Sequence, residues 1–204
     1  AIVGGLAPAE RHDVLVQRLT DDDALIYATF AVPDGPAGPG TNVAPGGDAL
    51  RAGHPEPWWD TDRELVRAQP FFRYVVHDAL VAAGRSDLIV SQCRDWEQLL
   101  EICPTSWAET WFGGTVSHGW SSTPTRDLMT RVLGVEPATA GFASASIAPA
   151  LGDLAWARGR VPTPYGLLSV DVTMDRIEID SPIPFVHEDA SYSAGTHTIR
   201  RGTS

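Results

Sequence analysis

Lysine is absent from this sequence. All fifteen basic residues are arginines, set against 26 carboxylates, for a formal charge of −11. Nucleic acid and anionic membranes repel so acidic a surface, so neither is expected as the main partner. Cysteine is scarce: Cys93 and Cys103 offer no disulfide framework and no metal-ligand spacing, and read as two free or buried thiols. No apolar run reaches bilayer-spanning length. No stretch repeats at a fixed period, which argues against a solenoid. The glycine patterns of nucleotide-binding loops are missing. Ser117 beside His118 lacks the strand–turn–helix setting of a nucleophile elbow. The six histidines suggest no metal site, and no cofactor is expected. No signal peptide is visible. The first residue is Ala1, in a stretch that reads as the end of a helix already under way, so a true N-terminus elsewhere is expected.

What remains is a chain of 204 residues with 43% hydrophobic content, enough for one ordinary domain or for a helical part plus a small β part. The spacing favours the second, with residues 1–137 helical and 138–204 a β-domain. Pro8 suits the first turn of a helix carrying Val14, Leu15 and Leu19, and Asp21 to Asp23 suit the start of another. Residues 31–60 are rich in proline and glycine and form a long irregular loop, with Trp58 and Trp59 as anchors at its end. Thr61 and Glu64 make a capping box for a helix near Asp62. Pro70 ends that helix or begins the next, which carries Phe71, Phe72, Val75, Val76, Ala79 and Leu80 and stops at Gly84. Ser86 caps a further helix with Leu88, Ile89, Cys93, Trp96, Leu99 and Leu100 on its buried side. Thr123 and Pro124 start one more, with Leu128, Met129, Val132 and Leu133, halted by Gly134.

After Pro137 alternation replaces helical spacing. Leu168, Val170 and Val172 alternate with polar residues, as do Ile177 and Ile179. Pro164-Tyr165-Gly166 and Asp180-Ser181-Pro182 are turn signals between them. About five or six short strands fit this tail at typical strand lengths. His187, Glu188 and Asp189 read as a solvated turn.

The densest chemistry lies in 105–126, which holds Trp107, Glu109, Trp111, His118 and Trp120 among glycines and hydroxyls. Aromatic faces stack on the C–H face of a pyranose, while hydroxyl, imidazole and carboxylate groups bond its hydroxyls. A carboxylate beside apolar rings can act as a general base. Glycosidases generally need two carboxylates, and Glu109 is one candidate. Taken singly these residues have plainer readings. Glu109 could accept an indole N–H and brace a loop, His118 could be a satisfied buried histidine, and Trp120 could be core.

Trp107-Ala108-Glu109-Thr110-Trp111, a glycine-rich gap, then Ser117-His118-Gly119-Trp120-Ser121-Ser122-Thr123-Pro124 resembles the late catalytic-domain motif of glycoside hydrolase family 78, the α-L-rhamnosidases. Gln69-Pro70-Phe71-Phe72 through His77-Asp78-Ala79-Leu80 is similar to the family's preceding barrel helix. Val132-Leu133-Gly134-Val135, Ile147-Ala148-Pro149, Gly159 and Val161-Pro162-Thr163-Pro164-Tyr165-Gly166 resemble the start of its C-terminal β-domain. The resemblance implies a mainly α chain with a β tail: part of an (α/α)₆ toroid followed by a small antiparallel β-sandwich-like domain. It implies inverting hydrolysis of terminal α-L-rhamnosides with water as nucleophile. Glu109 maps to the family's general base, His118 and Trp120 to the sugar pocket, and Trp107 and Trp111 to the flanks of the base. The family's general acid belongs to an earlier Asp- and Arg-rich motif not found here; Asp34-Gly35-Pro36 lacks the Arg-Asp that would complete it. The resemblance therefore implies a C-terminal fragment whose partner is the remainder of a parent enzyme. Two alternatives stay open: a glycosidase of the same toroid acting on another sugar, and a non-catalytic carbohydrate-binding module stacking sugars on its tryptophans.

Overall fold

The helices begin and end where backbone chemistry dictates, but several are shorter than their apolar spacing suggests. The computed structural model describes residues 1–26, 62–63 and 65–202. The expected loop over 31–60 with Trp58 and Trp59, the Asp34 segment and the Thr61/Glu64 capping pair lie outside the described residues. Residues 2–5 form turns rather than the expected helix end. A 3-10 turn, Ala9–Arg11, leads into α1 (His12–Thr20). Val16 is the buried residue of α1, at 2% exposure, while Val14 is 57% exposed. Two positions apart on a helix lie about 200° apart around its axis, so both cannot face inward.

Asp21 corrects the next expectation. Its Oδ1 accepts the Asp23 N–H at 3.2 Å, and its carbonyl accepts the Ala24 N–H at 3.0 Å. That side-chain-stabilised turn competes with helix initiation. The chain leaves it as β1 (Leu25–Ile26), paired in parallel with β2 (Leu65–Val66). Asp62 and Arg63 are likewise in a turn, so the expected helix there is replaced by a short strand.

Pro70 opens a 3-10 turn, Pro70–Phe72, that runs into α2 (Arg73–Ala82). Arg73, His77 and Leu80 recur at helical spacing on its buried face, while Phe72 turns outward. The helix expected from Ser86 through Leu100 is broken. A 3-10 turn, Ser86–Leu88, precedes α3 (Ile89–Arg94), and α4 (Glu97–Ile102) follows a break at Asp95 and Trp96. Ile89, Val90, Trp96 and Leu99 are buried, and Leu100 is exposed. After α5 (Thr123–Asp127) the turn widens into a π-helical stretch, Leu128–Val132, where the Leu133 N–H reaches back to the Leu128 carbonyl at 3.0 Å.

Two compact units emerge. One comprises residues 1–83 and 99–121; the other comprises 84–98 and 122–204. The second contains eight strands, more than the spacing suggests: β3 (Val135–Pro137), β4 (Ala145–Ile147), β5 (Trp156–Thr163), β6 (Gly166–Thr173), β7 (Arg176–Ser181), β8 (Phe185–His187), β9 (Ala190–Tyr192) and β10 (Gly195–Arg200). One sheet has the order β10-β7-β6-β5, antiparallel throughout. The other has the order β3-β4-β8-β9, and departs from the antiparallel expectation where β4 pairs β8 in parallel. Leu168, Val170, Val172, Ile177 and Ile179 are buried at alternate positions, as period-two patterning requires, and pack with Ala145, Ile147 and Phe185 of the mixed sheet. His187 is not merely part of a solvated turn. It ends β8, and its Nδ1 lies 2.7 Å from the Ile147 carbonyl oxygen.

Gly134 joins the π-helical stretch to β3 at φ 73, and a Cβ there would lie 2.2 Å from the Ala148 carbonyl carbon and oxygen. Only glycine fits that approach.

Candidate active site

The Trp-rich motif folds as a narrow hairpin inside the first unit. The Trp107 carbonyl accepts the His118 N–H at 2.9 Å, and the Thr115 carbonyl accepts the Glu109 N–H at 2.9 Å. Thr110 and Gly113 exchange N–H···O bonds of 3.0 and 3.2 Å across the tip. The reversal needs Gly113 at φ 117 and Gly114 at φ 78, so the glycine-rich gap is the hinge that turns one arm onto the other.

Glu109 is half-buried on this hairpin. Its Oε2 accepts the Thr115 N–H at 3.3 Å. The indole of Trp111 is engaged elsewhere: its Nε1–H donates to the Ala68 carbonyl at 2.9 Å, and its backbone N–H to Gln69 Oε1 at 3.0 Å. The reading in which Glu109 merely accepts an indole proton is therefore not what Trp111 does.

Trp111 is 3% exposed. The guanidinium carbons of Arg67 and Arg73 lie 6.0 and 5.8 Å from its ring centroid, within reach of cation–π attraction. Arg73 is itself buried, and Arg67 donates to Asp22 Oδ1 at 2.7 Å. This residue pins the hairpin to the segment Arg67–Arg73.

His118 and Trp120 sit on the return arm. The half-buried imidazole has Nδ1 3.3 Å from Ser121 Oγ, with the rings of Phe71 and Trp120 edge-on at 5.8 and 6.2 Å. Trp120 is not core: it is 73% exposed. Trp107 is half-buried, and its backbone is part of the hairpin ladder. The structure thus brings Trp107, Glu109, Trp111, His118 and Trp120 onto one hairpin, with Trp111 on the inside and Trp120 in solvent. Sequence reasoning did not single out Gln69, Arg67 and Arg73 as supports, because they lie some forty positions away and no spacing rule links them. The paired glycines were the one local signal for the turn.

Among the described residues no group of three or more His, Cys, Asp and Glu side chains could hold a metal. No helix of the described residues is long and apolar enough to cross a membrane. Neither Cys93 nor Cys103 is in a disulfide.

Residues 134–185 match the family model of the bacterial alpha-L-rhamnosidase C-terminal domain. No curated protein matches the chain. Among solved structures, native α-L-rhamnosidase from Aspergillus terreus is 20% identical with a TM-score of 0.56, over 63% of this chain and 19% of that one. A family 78 rhamnosidase of Bacillus sp. GL1 is 28% identical with a TM-score of 0.47, over 61% of this chain and 14% of that one. A kojibiose phosphorylase from the human microbiome is 11% identical with a TM-score of 0.40, over 66% of this chain and 19% of that one. The chain thus spans about a fifth or less of each of these proteins. Over part of its length it is related to the glycoside hydrolases. More narrowly, the relationship is to the α-L-rhamnosidases, and the matched segment corresponds to their C-terminal domain. That segment is in the second unit, whereas the Glu109 hairpin is in the first.

Proposed function

We propose that this chain carries the general base and part of the sugar pocket of an inverting α-L-rhamnosidase acting on terminal α-L-rhamnosides. Glu109 removes a proton from water as the water oxygen attacks the anomeric carbon. A general acid, expected in an earlier portion of the parent enzyme, protonates the departing glycosidic oxygen. The C–O bond breaks and the anomeric configuration inverts. Trp120 offers its face to the sugar's C–H surface, His118 bonds a hydroxyl, and Trp107 flanks the base. Trp111 is proposed to act from beneath, as the peg of the hairpin. On this reading residues 1–137 are the last part of an (α/α)₆ toroid and 138–204 its closing β-domain, with the remainder of the parent enzyme as partner.

The observation that carries the proposal is the hairpin itself. It holds a half-buried carboxylate against a backbone N–H and places an imidazole and an exposed indole on the facing arm. The relationship of residues 134–185 to the rhamnosidase C-terminal domain supports the choice of sugar. The test is hydrolysis of an aryl α-L-rhamnoside by the full-length parent protein beside its Glu109→Gln variant. Loss of a general base is expected to lower turnover about 10²- to 10⁴-fold with the fold intact. Cleavage of a different glycoside would keep the base and change the sugar.

The exposure of Trp120 favours one second reading, a carbohydrate-binding module. A parent protein that binds rhamnosides, cleaves no glycoside and is indifferent to Glu109→Gln would establish it.

A further inference from the structure

We infer that Gly114 is a positioning residue for the Glu109 carboxylate, an inference that rests on the base assignment above. Two neighbouring glycines make the hairpin turn, and both have backbone angles that L-residues adopt only under strain: φ 117 at Gly113 and φ 78 at Gly114. Their surroundings differ. A Cβ built on Gly113 meets nothing within 4 Å. A Cβ built on Gly114 lies 3.2 Å from Glu109 Oε2, 3.4 Å from Glu109 Cβ and 3.7 Å from Thr110 Cγ2. The nearest of these atoms is the far end of a flexible side chain. The carboxylate is therefore the group that gives way to the Cβ, while the backbone strain of a positive φ is common to both glycines.

The same carboxylate oxygen accepts the N–H of the next residue, Thr115, at 3.3 Å. Gly114 and Thr115 together set where Oε2 can sit: the amide draws it toward the loop backbone, and the missing Cβ leaves room for it. A general base must hold its proton acceptor within hydrogen-bond reach of the attacking water, and displacement of about 1 Å can cost on the order of 10²-fold in rate. Conformational need alone explains a glycine at either position. Proximity to the reacting oxygen belongs to Gly114.

The pair supplies its own control. In the full-length parent enzyme, Gly114→Ala and Gly113→Ala are compared with wild type and Glu109→Gln for thermal midpoint, kcat, KM and the pH profile of kcat. Backbone strain should penalise Gly113→Ala at least as heavily, because its φ lies farther from the left-handed region open to alanine. Gly114→Ala is expected to lose about tenfold in kcat relative to Gly113→Ala, less than the cost of a full ångström because the contact displaces the carboxylate by only a fraction of one. KM should change little, the thermal midpoint should be no lower, and the acidic limb of the profile should move. In a Glu109→Gln background the two alanine variants should have the same kcat. If Glu109→Gln abolishes turnover while the two alanine variants agree within about threefold, well short of that loss, Gly114 serves only the turn and the inference falls. If Glu109→Gln retains turnover, the base assignment itself has failed.

Discussion

Trp111 shows how one side chain can matter to a site without facing it. Its buried ring, its indole N–H on the Ala68 carbonyl and its backbone N–H on Gln69 fasten the hairpin from below. Replacing Gln69 with leucine keeps the volume but removes the acceptor of a buried amide, at an expected cost of about 1–3 kcal/mol. Urea unfolding of the variant would measure it, and an unchanged midpoint would show that the amide finds another acceptor. Trp120 is the opposite case. Exposed and carried on the return arm, Trp120→Ala should leave stability within about 0.5 kcal/mol. Within the proposed site it should raise KM for an aryl rhamnoside severalfold, and an unaltered KM would remove it from the pocket. Glu109, His118 and Trp120 stood out in the sequence because their residue types carry chemistry at short range in one segment, and the structure places them on one hairpin. Gln69, Arg67 and Arg73 were not, because their partnership with Trp111 exists only after the chain has folded back.

At the scale of elements, alternation proved easier to read than helical spacing. Leu168, Val170 and Val172 announced β6, and Ile177 and Ile179 announced β7, because a strand buried on one face admits no other register. The helices expected from Pro8, Pro70, Ser86 and Thr123 were located but their lengths were not, and those expected at Asp21 and Asp62 are turns and short strands. Asp21 captures its own following backbone and diverts a helix into β1, while the run from Ser86 breaks at Asp95 and Trp96. Apolar spacing does not record such local competition. Two stability measurements probe the second unit. Leu168→Ala empties a fully buried position between the sheets and should cost about 2–5 kcal/mol. Gly134→Ala should cost more than the roughly 1–2 kcal/mol of a left-handed backbone, because its Cβ also collides with the Ala148 peptide. If Gly134→Ala unfolds like wild type, the approach of β3 and β4 is looser than these distances indicate. The turn before α3 adds a small pH-dependent contribution. The Arg85 guanidinium, bonded to Asp87 at 2.9 Å, holds that carboxyl below its ordinary value. A depressed folded value stabilises above the unfolded one and is lost as the pH falls through the folded one. Asp87→Asn should therefore cost no more than the roughly 0.2–1 kcal/mol of an exposed pair at neutral pH. The difference from wild type should vanish in acid.

For the whole molecule, the proposed chemistry divides across more protein than this chain holds. Inversion needs two carboxyl groups about 6.5–9.5 Å apart, with a water held between one of them and the anomeric carbon. In the proposed scheme Glu109 provides one, and the other is expected from an Asp- and Arg-rich motif that the family resemblance does not match in this sequence. A base without its acid still polarises water, but it leaves the glycosidic oxygen to depart unprotonated. The 204-residue chain, prepared alone and shown by its thermal transition to be folded, should therefore hydrolyse an aryl α-L-rhamnoside no faster than its own Glu109→Gln variant. The parent enzyme and its variant should differ about 10²- to 10⁴-fold under the same conditions. Substrates with better leaving groups sharpen the comparison, because an acidic phenol needs protonation least. If the isolated chain gains rate on an activated aryl rhamnoside and loses it with Glu109→Gln, the base works alone and only the acid is missing. If it turns over unactivated rhamnosides at the parent's rate, both carboxyl groups lie within these residues, and the assignment of the acid to an earlier segment is wrong.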